Sequence, residues 1–176
     1  MKNIIFLKLY LTLAFFLIIN NLLAQEGFVK NNGQFPVNVI AKKKLSGGAL
    51  FVERGKLSFS FYNQKQLKNF HDHKNTDSKI SFHSYRILFK NISKNITISY
   101  NNKYDYVENY YLGEKQNWVS SVPVFNEVLQ QKIYKGIDLK IYNYHNNLKY
   151  DLILSKDADV RDVIMKYEDV ESLILV

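Results

Sequence analysis

YKGIDLKIYNYHNNLKYDLIL, residues Tyr134–Leu154, carries the clearest two-residue period in the chain. Ile137, Leu139 and Ile141 alternate with Asp138, Lys140 and Tyr142. After a polar interruption, Tyr150, Leu152 and Leu154 alternate with Lys149, Asp151 and Ile153. Such alternation gives each of two strands one apolar face. With Asn146-Asn147 as a two-residue turn, Ile141 stands opposite Leu152 and Leu139 opposite Leu154, and the apolar faces coincide. A three-residue loop would set Leu152 against Lys140 and split the faces. Asn tolerates the positive φ that a type I′ turn demands, so the turn chemistry agrees. The stretch predicts an antiparallel hairpin.

A second hairpin follows the same logic. Ala49–Glu53 and Lys56–Tyr62 flank Arg54-Gly55, which sets Glu53 against Lys56, Val52 against Leu57 and Leu50 against Phe59. Arg is a poor first residue for a type I′ turn, which leaves a bulged three-residue loop as the alternative. Upstream, FVKNNGQFP (28–36) is turn-rich, and Val37–Ala41 reads as a short strand. Asn63 can cap a short helix with Leu67, Phe70 and His71 on one face. His71–Lys79 is a polar loop, and Ile80–Phe89, Asn95–Tyr100 and Tyr104–Leu112 read as strands. Phe125–Gln130 is extended or partly helical. Lys156–Asp162 is a charged turn with room for one helical turn, and Val163–Tyr167 favours strand over helix. Glu171–Val176 is a last β-like run with no partner after it, so the domain reads as cut short at its C-terminus. Thirteen Tyr and twelve Phe in 176 residues support the β-rich assignment. The expected fold is mostly β: an antiparallel β-sandwich-like domain built from hairpins, with one or two short helices.

The first 24 residues are set apart. A basic start, the apolar run Ile4–Ile19 and a small residue at Ala24 read as a signal peptide, which leaves 25–176 as a single β-rich domain beginning at Gln25. An uncleaved membrane anchor is the alternative, against which the short run and Lys8 count. Export through the Sec pathway to the periplasm, cell surface or medium follows, with no stable membrane span after cleavage. Lys2 and Lys8 lie in the leader, so its removal lowers the formal charge from +8 to +6. The remaining lysines are dispersed apart from Lys42-Lys43-Lys44. They read as a solvated basic surface, with no nucleic acid expected as partner. The chain has no cysteine, which excludes disulfides and thiol chemistry.

No nucleophile motif, P-loop or dinucleotide fingerprint occurs. His71-Asp72-His73 has metal-ligand residue types but no fixed third ligand, and reads as solvated loop. Asp138 and Asp151 share the polar face of the first hairpin, with Asp151 opposite Tyr142 and diagonal to Lys140. Cross-strand pairing accounts for them better than catalysis. Catalytic, metal and cofactor residues are therefore none. Tyr104, Tyr106, Tyr110 and Trp118 remain as candidate ligand-binding residues, a stacking platform for sugars or bases, with core packing of the tyrosines as the bland alternative.

FVKNNGQFP (28–36), GGALFVERGKLSFSFYN (47–63), HSYRILF (83–89), NYYLGEKQNWVSSVPVF (109–125) and IYKGIDLKIYNYHNNLKYDLILSKDADVRDVIMKY (133–167) together resemble a known module. It is the DUF7948-type N-terminal domain of large secreted Bacteroidetes proteins. That resemblance implies association with β-propeller-like repeats and a gliding-motility-associated or type IX sorting domain, and implies no catalytic residue. Lys30 and Phe35 depart from the family's usual acidic residue and Trp, and relatives usually run on past the position of Val176. The expected function is an exported, non-enzymatic structural or interaction module, with surface glycans or cell-surface proteins as partners. A carbohydrate-binding module is the alternative.

Overall fold

The computed structural model describes residues 26–72, 79–145 and 147–174. The proposed leader, most of the His71–Lys79 loop and Asn146 lie outside them. The strands are β1 (Phe28–Lys30), β2 (Val39–Leu45), β3 (Gly48–Glu53), β4 (Lys56–Tyr62), β5 (Phe82–Lys90), β6 (Thr97–Tyr110), β7 (Val119–Tyr134), β8 (Ile137–Tyr144), β9 (Asn147–Leu154) and β10 (Ile164–Glu168). One helix, α1 (Gln64–His71), is capped by Asn63, whose side chain accepts from the Gln66 N–H at 3.1 Å. Short 3₁₀ turns lie at Lys115–Asn117 and Val160–Asp162. Among the described residues no helix is long and apolar enough to cross a membrane.

The fold is mostly antiparallel β, as expected, but one sheet replaces the two packed sheets. Its order is β10-β5-β4-β3-β2-β1-β7-β8-β9, with β6 on the remaining edge of β7. The 16-residue β7 is the axis. Along one edge it pairs with β6; along the other it pairs first with β1 (Val124 and Phe125) and then with β8 (from Glu127 onward). The sheet divides at Asn126 and curls into a half-barrel. Phe28, Leu50, Val52, Leu57, Ile87, Val128, Leu139 and Ile141 fill its inside. Tyr150 of β9 reaches Tyr167 of β10 by a hydroxyl hydrogen bond, so the two ends of the sheet approach each other.

The β3–β4 hairpin has the expected register, with Glu53 against Lys56 and Leu50 against Phe59. The Glu53–Lys56 ion pair measures 2.7 Å. Positive φ falls on Gly55 alone (59°), so Arg54 is not forced into the left-handed region that makes it poor for type I′. The turn is held from the far side of the barrel. Gln130 of β7, fully buried, accepts from the Gly55 N–H at 2.9 Å and donates to the Glu53 carbonyl at 2.9 Å. Phe89 N–H donates to the Gly55 carbonyl at 2.9 Å, and Arg54 donates to the Ile96 carbonyl.

The β8–β9 hairpin also forms, but two residues out of the expected register. Leu139 faces Leu152, Ile141 faces Tyr150 and Tyr144 faces Asn147. The turn therefore lies between Tyr144 and Asn147, with His145 at φ 46°. A slip of two residues keeps every side chain on its face, so the apolar pattern could exclude odd shifts only. The adopted register places Lys140 directly opposite Asp151, at 3.6 Å, an opposite-charge pair the other lacks. Asp138 accepts from the Lys132 N–H at 2.7 Å, where β7 has a positive φ (59°) and its pairing with β8 shifts. Both acids thus make structural contacts.

Other expectations shift at their ends. β2 starts and ends later than Val37–Ala41, and the turn-rich opening contains β1, which gains partners on both edges from distant strands. Asn95–Tyr100 and Tyr104–Leu112 merge into the single strand β6. Phe125–Gln130 is strand, and so is most of Val163–Tyr167. Over 171–174 no strand forms, and Leu173 and Ile174 stand exposed. Apolar alternation alone does not make a strand without an edge to pair with.

Gln130→Leu should lower unfolding stability by about 2–4 kcal/mol, because a buried N–H and a buried carbonyl lose their partner together. Urea denaturation of the variant against the parent chain checks this.

Candidate binding cleft

Outside the half-barrel, the backs of β2, β3 and β4 face the C-terminal half of β6 across an open cleft of about 1070 Å³. Strand alternation sets its floor. On β2, Ala41 and Lys43 point into the core while Lys42 and Lys44 point out. On β3, Leu50 and Val52 point in, and Ala49 and Phe51 out. β4 adds Ser60 and Tyr62.

The opposite wall owes its shape to a β-bulge. β6 pairs Lys103 with Phe125 and next Val107 with Pro123, so it carries extra residues at Tyr104-Asp105-Tyr106. Asn102 takes φ 55° just before them. A bulge re-aims side chains. Here it brings the rings of Tyr104 and Tyr106 into a stack, centroids 5.5 Å apart and planes 13° from parallel, and turns Asp105 toward the cleft as well. The Tyr104 hydroxyl donates to Asn126 at 2.8 Å, at the point where the sheet divides. Val29, Val122 and Val124 form a small second core behind, with Phe35, Tyr104 and Tyr110 packed on it.

Tyr110 ends the wall. Its hydroxyl donates to Glu108 Oε2 at 2.7 Å, and its ring meets Phe35 edge-on at 5.3 Å. Burial, together with this carboxylate, pushes the Tyr110 phenol well above its ordinary value. Asn31 delivers Phe35: its side chain accepts from the N–H groups of Gly33 and Phe35 and donates to the carbonyls of Phe35, Pro36 and Val39. The Lys42 ammonium lies 5.5 Å from the Phe35 ring and 5.7 Å from the Phe51 ring. Lys44 pairs with Glu26 at 3.1 Å, which raises its pKa. Lys43 is buried, and its ammonium donates to the Glu26 carbonyl at 2.6 Å. Burial pushes it below its ordinary value, against the pull of the Glu26 carboxylate. The triple lysine is therefore not a uniformly solvated patch.

Three of the four candidate residues, Tyr104, Tyr106 and Tyr110, come together in the cleft; Trp118 does not line it. Trp118 donates to the Gly113 carbonyl at 3.2 Å and packs on Tyr111 at 5.2 Å. Sequence reasoning missed Glu26, Lys42, Phe51, Tyr62, Asp105 and Glu108. The alternation of Lys42 and Phe51 with core residues was readable, but which strand they face was not. His71 closes α1 and His73 lies outside the described residues. Among the described residues no group of three or more His, Asp or Glu could hold a metal ion.

The sequence matches the family described as a domain of unknown function (DUF7948) over residues 28–176, and the chain belongs to that family. No curated protein and no solved structure matches it.

Because the Tyr110 phenol is raised above the ordinary value of about 10, its protonated form is favoured by folding. That stability is fully present below pH ~10 and is lost as pH rises beyond it, since the unfolded chain then releases the proton first. Tyr110→Phe should flatten part of this alkaline loss, as read from unfolding midpoints measured across the alkaline range.

Proposed function

We propose that the chain is an exported, non-enzymatic interaction module that binds its partner in the β6 cleft, and that the partner is a neutral surface glycan. The observation that carries this is the stacked Tyr104–Tyr106 pair facing Phe51 and Lys42 across an open cleft. Aromatic faces take the C–H faces of sugar rings, while carboxylates and ammonium groups take hydroxyls. Lys42 and Lys44 stand against Glu26, Asp105 and Glu108, so the cleft has no strong field of one sign to select a charged ligand. A hydroxyl-rich neutral ligand uses both kinds of group.

The leader, with its basic start, apolar run and Ala24, supports Sec-dependent export and a place at the cell surface, in the periplasm or outside the cell. The family resemblance supports a role as one module of a larger surface protein. A general protein-interaction module is the second reading, and the mixed polar and aromatic walls also support it.

A neutral-glycan array followed by calorimetry on the hits tests the proposal. Tyr106→Ala should weaken binding about tenfold or more, the equivalent of losing roughly 1.4 kcal/mol of stacking, while Trp118→Ala leaves it unchanged. Absence of any glycan hit would remove the glycan reading, and loss of binding in Trp118→Ala would move the site out of the cleft.

A further inference from the structure

The chain enters β1 through the floor of the cleft. Glu26 and Gly27 both line it. The Glu26 backbone carbonyl accepts from Lys43 Nζ at 2.6 Å and from Asn143 Nδ2 at 2.8 Å, and its carboxylate is paired with Lys44. Gly27 N–H donates to the Tyr106 hydroxyl at 3.3 Å. A Cβ on Gly27 would lie 2.4 Å from a Val124 methyl and 2.6 Å from the Tyr104 ring, so no larger residue fits between β7 and the tyrosine stack. Glu26 is thus held on its backbone and its side chain at once, directly beside Tyr106.

Connectivity does the rest. Successive Cα atoms are about 3.8 Å apart, so whatever is bonded to the nitrogen of residue 26 begins within the cleft. In the unprocessed chain that continuation is Gln25 preceded by Leu22-Leu23-Ala24, an apolar segment suited to walls of Phe51, Tyr104 and Tyr106. We propose that N-terminal processing gates this cleft. Before cleavage Leu22-Leu23-Ala24 lies along the Tyr104–Tyr106 wall and closes the site, and after cleavage the site opens with Gln25 as its terminal residue. The inference rests on leader removal after Ala24 and on the cleft as the site of binding; it does not depend on which ligand binds there.

Nitration by tetranitromethane reads the cleft without any ligand. Two chains are compared, one beginning at Gln25 and one retaining Leu22-Leu23-Ala24, with modification at each tyrosine followed by peptide mass spectrometry. Tyr106 is 39% exposed and is the reporter; Tyr144, 50% exposed on β8, is the reference. Nitration of Tyr106 should fall roughly tenfold in the longer chain, as for a cleft about nine-tenths occupied, with Tyr144 unchanged. Leu22→Ser with Leu23→Ser in the longer chain should restore the Tyr106 rate. Equal Tyr106 rates in the two chains would overturn the proposal, and so would a parallel fall at Tyr106 and Tyr144. Failure of the glycan array would leave this result untouched, because nitration needs no glycan.

Discussion

Gln130 is the contact on which the half-barrel depends. It sits on β7, fully buried, and its amide group satisfies both sides of a turn more than seventy residues earlier in the chain. A buried amide without partners is costly, and so are a buried N–H and carbonyl. Placed together they satisfy one another, and the pairing fixes where the β3–β4 hairpin sits relative to the axis strand. Phe89 on β5 and Ile96 just before β6 close on the same turn. One polar cluster in an otherwise apolar interior thereby ties β3, β4, β5 and β7 into one geometry, in which hydrophobic burial alone would accept several.

That geometry explains why the cleft exists. β7 is too long to be paired along one edge by a single neighbour. It gives its first half to β1 and its second to β8. The second half, with β8, encloses the main core. The first half carries β6 away from the barrel, and the bulge at Tyr104–Tyr106 folds that strand back over β2, β3 and β4. The cleft is therefore what the division of the sheet at Asn126 leaves between its two directions. Tyr104, which donates to Asn126, marks the point.

The sequence carried its hairpins because they are local. Glu53 and Lys56, or Leu57 and Val52, are near neighbours in the chain, and their alternation states their pairing. It did not carry the slip between Leu139–Leu154 and Leu139–Leu152, since a two-residue period is blind to even shifts. Nor did it carry β1: Phe28 and Val29 become a strand only because β2 and β7 arrive on both sides. The site divides along the same line. Tyr104, Tyr106 and Tyr110 were visible as a tyrosine-rich strand. Lys42, Phe51 and Glu26 belong to the site through a long-range approach of β6 to β2 and β3, which no local pattern reports. Trp118 was grouped with the tyrosines by nearness in sequence, and its ring turns to Tyr111 instead.

Lys42-Lys43-Lys44 shows how far position rather than composition decides what a charge does. Read as composition, three consecutive lysines are a small basic patch. Placed on β2, the middle one turns inward and stretches beneath Phe28 to the Glu26 carbonyl, while its neighbours turn outward into the cleft. The inward ammonium holds the start of the chain in place, and the outward Lys44 holds the same residue by its carboxylate. Lys42, resting over Phe35 and Phe51, is left as the cation the cleft presents. One short run thus anchors the entry of the chain and furnishes a wall of the site, so any ligand meets a surface whose edge is the first ordered residue of the domain.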